Sequence, residues 1–164
     1  MPTFAPKKTA LILIDLQNGI LSQNTEPESA LYILKDCKSL ARKFREAGSM
    51  VILVNVNPGE NYELFPKGKT SFIRNEDKLS DSWTELANGL EYPSDIKITK
   101  HQWGAFTGTP LEDTLKDNGV VNVVIAGIAT NFGVESTARQ AWELNFNVVI
   151  VEDCCSTTIG KDAH

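Results

Sequence analysis

Five short runs rich in Val, Ile and Leu constrain the fold of this 164-residue chain more than any other feature. They are TALILID (9–15), MVILVNV (50–56), IKITK (96–100), VVNVVIAGI (120–128) and NVVIVED (147–153). A sheet with one wet face alternates apolar and polar residues. Near-continuous apolar runs are instead the habit of strands covered on both faces, as in a parallel sheet held between helices.

Parallel neighbours need crossovers, and helical patterns fall where crossovers are needed. From Glu28 to Ala47, Leu31, Leu34, Cys37, Leu40, Ala41 and Phe44 recur at intervals of three and four, with Gly48 as a C-terminal stop. In TPLEDTLKDNG, Thr109 is placed to cap, Pro110 to open the first turn, Glu112 to complete a capping box and Gly119 to end the helix. A third pattern runs from Val134 to Leu144, with Val134, Ala138 and Ala141 on one face. The alternation predicts an α/β domain over residues 1–164: a doubly wound, mostly parallel, Rossmann-like sheet of about five or six strands with helices on both faces. Residues 57–95 interrupt the rhythm with Pro58, Gly59, Pro66, Gly68, Gly89 and Pro93, and hold one possible short helix around Ser82 to Asn88. Excursions of that length in a compact domain are often functional.

Composition narrows the partners. A net charge of −5 disfavours nucleic acid and anionic membranes, so any anion must be bound by a local cluster. Three cysteines, two of them adjacent, make no disulfide framework and fit a reducing, cytoplasmic setting. The N-terminal apolar run leads into an acid rather than a cleavage site, so it reads as a strand and not a signal peptide.

In open α/β sheets, ligands gather at the carboxyl ends of the strands. Asp15 ends the first run in LIDLQN, Lys100 ends the third in ITKHQWGAF, and GIATN ends the fourth just before Gly133. Taken singly, Asp15 reads equally as a capping acid and Lys100 as a solvated lysine. Trp103 and Phe106 either wall a pocket beside Lys100 or pack in the core. Lys67, Lys69 and Arg74 could bring positive charge to an acidic substrate, Arg74 foremost, although each also suits plain solvent exposure. Cys37 reads as core, and His101 as a surface or hydrogen-bonding residue.

Taken together, DLQN, the lysine before WGAF, PLEDTLKDNGV and GIATNFGVESTARQAWELNF resemble the isochorismatase-like cysteine hydrolases from about Thr9 to Asp153. The resemblance implies a site built on Asp15, Lys100 and the position of the nucleophilic thiol. That position falls on Gly133, as in the isochorismatases, which carry glycine where the amidases carry cysteine. Gln17, Ala129, Asn131, Phe132 and Val134 join Trp103, Phe106 and Arg74 as substrate-binding candidates. Asn131 follows neither branch, since the amidases have aspartate there and the isochorismatases histidine. The resemblance also implies a cis peptide between Ile128 and Ala129, while their place at the start of the next helix points the amides of Phe132, Gly133 and Val134 outward for a carboxylate or oxyanion.

Without a thiol at 133 the acyl-enzyme route is closed, whereas general-acid cleavage of an enolpyruvyl vinyl ether needs no covalent intermediate. Asp15 would donate the proton and Lys100 would bind the anion. An ordinary aspartate is protonated in about one molecule in a thousand at neutral pH, so burial must lift its pKa by roughly three units. No cofactor is implied and no metal, because His101 and His164 are the only histidines and the nicotinamidase ligand triplet is absent. The partners implied are a small anionic substrate and further copies of the chain, as a dimer or tetramer. Family members usually continue with another helix and strand beyond the point where this sequence ends, which would leave an apolar edge exposed. The rival readings are a catalytically silent member that binds a metabolite or serves as an assembly subunit, and an amidase working through Cys154 or Cys155.

Overall fold

The computed structural model describes residues 4–59, 63–65 and 79–164. Five strands, β1 (Thr9–Ile14), β2 (Met50–Val56), β3 (Ile96–Lys100), β4 (Asn122–Ile128) and β5 (Asn147–Ser156), form one sheet in the order β3-β2-β1-β4-β5. Every pairing is parallel. The burial predicted from the apolar runs holds throughout the centre, where every residue of β1 and β4 is buried. At the edge, the first half of β5 is half-buried or exposed.

Among the described residues, α1 (Asn18–Leu21) and α2 (Ala30–Glu46) connect β1 to β2, α3 (Leu111–Asp117) connects β3 to β4, and α4 (Glu135–Glu143) connects β4 to β5. Ser29 caps α2 by accepting the amide of Tyr32, and Gly48, at φ 76°, ends it. The face that α2 buries is centred on Ile33, Cys37 and Ala41, and Leu31, expected on that face, is 71% exposed. Two further expectations are corrected. The capping box of α3 does not close: Thr109 Oγ1 accepts the amide of Leu111 and donates to Ala105 O, while Glu112 pairs with Lys116 one turn on. Residues 82–88 form turns rather than a helix.

The edge strand changes face midway. Ile125 pairs with Ile150 but Gly127 with Cys155, so two steps along β4 are matched by five along β5. An odd surplus of three reverses the alternation of side chains. Val148 and Ile150 therefore lie toward α4, where they line a groove with Ala138 and Trp142. Beyond the bulge Cys155 keeps that side, and Cys154 points to the other, against Cys37 of α2. No helix among the described residues is long and apolar enough to cross a membrane.

Candidate active site

Asp15 follows the last residue of β1 and sits in the left-handed region at φ 53°, uncommon for a residue with a side chain. Its amide still donates to Val54 O at 2.8 Å, so the main chain leaves the sheet only after this residue. Lys100 ends β3, two strands away, and is 1% exposed. A buried ammonium requires partners. Among the described residues Lys100 Nζ has two: Asp15 Oδ2 at 2.9 Å and the carbonyl of Trp103 at 2.5 Å. An ammonium has three donors, so one remains for an incoming anion.

The elbow closes the triangle. A β-carbon built on Gly133 would lie 3.0 Å from Lys100 Nζ, 3.1 Å from Asp15 Oδ2 and 2.7 Å from Ile14 Cγ2. Acid, amine and glycine therefore meet at one point, reached from three strand ends. The space that a side chain would take at 133 is already closed by the methyl of Ile14 and the two charged groups.

The carboxylate is used asymmetrically. Oδ2 faces the ammonium, while Oδ1 is buried with no hydrogen-bond partner among the described residues. Burial raises the pKa of Asp15 above its ordinary value, and the charge and hydrogen bond of Lys100 only partly oppose that rise. With Oδ2 committed to the ammonium, the oxygen on which a proton would rest is Oδ1.

The peptide between Ile128 and Ala129 is cis, and a turn of π-helix, Thr130–Val134, leads into α4. The three outward amides expected at the helix start are not all present, because Phe132 and Val134 both donate to Ala129 O at 3.1 Å. Asn131 does not stand free either, since its Oδ1 accepts from Thr157 Oγ1 at 2.5 Å. Gln17 is fully buried, its Nε2 donating to Val56 O and Trp83 O and its Oε1 accepting from Val56 N. That leaves no N–H of its amide for a substrate, and its work is to tie the end of β1 to the end of β2. Phe106 packs on Phe146 in the core, with centroids 6.0 Å apart. Trp103 is 51% exposed and lies against Phe132, with centroids 5.1 Å apart, so these two rings form the aromatic surface nearest the lysine. Arg74, Lys67 and Lys69 lie outside the described residues. His101 Nδ1 meets Asn57 O at 2.7 Å, which suits a hydrogen-bonding residue.

Two supporting residues escaped the sequence reading. Ile14 packs on the glycine, and the fully buried Thr137 donates from Oγ1 to Gly133 O at 2.6 Å while accepting the amide of Ala105 at 3.1 Å. Thr137 thus joins the elbow to the loop that carries Lys100's carbonyl partner. Its place one turn after Gly133 was a readable signal, because a helical threonine commonly bonds the carbonyl four residues back. Among the described residues no group of three or more His, Cys, Asp or Glu is placed to hold a metal ion.

Residues 9–164 match the isochorismatase domain family. The chain belongs to the isochorismatase family. Over 151 residues it is 45% identical to the uncharacterized isochorismatase family protein YecD of Escherichia coli O157:H7, covering 92% of this chain and 80% of that protein. The structure of an isochorismatase family protein from Burkholderia thailandensis, 43% identical, superposes with a TM-score of 0.88 over 95% of this chain and 82% of that one. The ureidoacrylate amidohydrolase RutB of Enterobacter sp. (strain 638) is 30% identical over 177 residues, 92% of this chain and 76% of that protein. Isochorismatase-family proteins are hydrolases, and this chain has the family's α/β fold with a five-stranded parallel sheet.

Proposed function

We propose that this isochorismatase-family hydrolase cleaves a small anionic vinyl ether by general-acid catalysis from Asp15, with no covalent intermediate. The unpartnered Oδ1 of a buried, pKa-raised Asp15, pressed with Lys100 against a bare glycine, carries the reading. A substrate carboxylate engages the free donor of Lys100, which also draws the ammonium's field away from Asp15. The protonated Oδ1 then delivers its proton to the terminal methylene carbon, leaving an oxocarbenium ion at the ether carbon. Water adds to that carbon and returns a proton to Asp15. The hemiketal collapses to pyruvate and an alcohol.

RutB and other relatives are named as amidohydrolases, and an amidase reading would need a nucleophile. Gly133 supplies none. Cys155 donates to Val151 O and its thiol is pushed up to about 11 by burial, while Cys37 Sγ donates to Cys154 O. Cys155 is held as the thiol, and Cys154 is turned toward α2 and Cys37.

The test is pyruvate release from isochorismate, followed by a coupled dehydrogenase. Turnover is expected, with a loss of about 10² to 10⁴ in Asp15→Asn, the size of a general acid's contribution. Equal rates in the two proteins would refute the assignment. No turnover, with a ligand still bound, would favour the silent binding protein.

A further inference from the structure

The three cysteines fall into a pair and a single residue. Cys37 Sγ, on the buried face of α2, donates to the carbonyl of Cys154 at 3.5 Å, and the pairing of Cys155 with Gly127 turns the Cys154 side chain toward the same helix. The reversal of face within β5 produces this meeting: in an unbulged strand alternating regularly from Ile150, Cys155 rather than Cys154 would face the helix. Cys155 is turned away and donates to Val151 O at 3.3 Å. The two residues of the pair stand 117 positions apart in the chain, on elements that pack directly on one another. Nothing in the chemistry of Asp15, Lys100 and Gly133 uses them.

We propose that Cys37 and Cys154 are a redox modification site, closing to a reversible disulfide between α2 and β5 when the protein meets a hydroperoxide. The order of events follows from access and acidity. Cys37 is wholly buried and Cys154 is 7% exposed, so peroxide reaches Cys154 first. The Cys37 side chain beside it also holds the Cys154 thiol below its usual range, against burial and the nearby Asp36 and Asp153, with Lys43 assisting. The same contact and burial push Cys37 up, so one member of the pair is the better thiolate and the other keeps its proton.

The Cys154 thiolate attacks one peroxide oxygen. The O–O bond breaks, the other oxygen leaves as an alcohol or water, and the sulfur is oxidised by two electrons to a sulfenic acid. Cys37 sulfur then attacks it, the S–S bond forms, and hydroxide leaves and takes up the Cys37 proton as water. Two thiols and one hydroperoxide become one disulfide, one alcohol and one water. The bond would staple α2 to a segment that also supports the elbow, since Thr157, next but two after Cys154, holds Asn131.

Whole protein treated with hydrogen peroxide, then quenched and unfolded, is expected to lose two of its three titratable thiols. Proteolysis and mass spectrometry should yield a 37–154 cross-linked peptide that dithiothreitol separates. Cross-linking of a long chain segment should also raise the melting temperature by several degrees. Cys155→Ala should behave like the parent, and Cys37→Ala should stop at a sulfenic acid on Cys154, trapped by dimedone. Retention of all three thiols, a bond between the neighbours Cys154 and Cys155, or a cross-link only between molecules would each overturn the proposal.

Discussion

At Asp15 and Lys100 two buried charges hold each other in a place where neither is comfortable. The aspartate's raised pKa means that the folded state binds the proton more tightly than the unfolded chain does. Its contribution to stability is therefore complete below the ordinary carboxylate value of 3.8 and fades as pH climbs through the raised folded value. Because Lys100 pulls that value down, Lys100→Met is expected to move the titration of the Asp15 carboxyl to higher pH, read by carbon NMR of labelled aspartate. An unmoved titration would mean that the two groups are not coupled as the 2.9 Å contact requires. Lys100→Met alone should also be less stable than Lys100→Met combined with Asp15→Asn, since removing one partner strands the other; breaking such a pair costs up to about 3–5 kcal/mol. Urea denaturation of the single and double variants measures the difference. Gly133 is tight for a steric reason rather than a conformational one. A methyl there would overlap Ile14 Cγ2 at 2.7 Å. Gly133→Ala should cost about 1–3 kcal/mol, and Ile14→Val beside it should recover part of the loss. A Gly133→Ala protein of parental stability would show that the elbow is looser than described.

At the scale of elements, the connections decide how three strand ends converge. Gln17 acts as a short piece of added sheet, since its amide exchanges two hydrogen bonds with the backbone of Val56 just beyond Asp15. Gln17→Leu keeps the volume but strands the Val56 amide and carbonyl, and should lower stability by about 2 kcal/mol. It should also reduce catalysis with Asp15 untouched, because the ends of β1 and β2 lose their tie; unchanged stability would argue against that bracing role. This was hidden in the sequence, where DLQN resembles a family motif and invites a substrate contact. What a buried amide bonds to depends on residues far along the chain, here Val56 and Trp83, and no local spacing reveals it. The reverse held for the helix after the elbow. Val134, Ala138 and Ala141 share a buried face as their spacing predicted, because helical periodicity is a local property.

For the molecule as a whole, the apolar runs made the sheet legible because strands covered on both faces leave an unmistakable mark, and the bounds of β2 and β3 match the runs read from sequence. Two things were not legible. The phase of α2 is set by Ile33 and Cys37 rather than Leu31, since Leu31 lies where the sheet does not reach. The extension of β5 to Ser156 was also missed, because polar Glu152 and Asp153 mark the bulge and look like a strand's end. The pattern of cover should show in native-state hydrogen exchange. The amides of β1 and β4 are expected to exchange slowest, near the rate of global unfolding, and those in the first half of β5 sooner. Uniform protection across all five strands would contradict the burial seen at the edge.

The bulge in β5 also makes this strand a switch that protein engineers can throw. Slipping the pairing beyond the bulge by one residue, so that Cys154 rather than Cys155 meets Gly127, would turn the distal half over, presenting the other sulfur to the helix and moving Ser156 off its tie to Glu28. Neighbouring cysteines with identical chemistry thus acquire opposite fates from nothing more than the register at which pairing resumes.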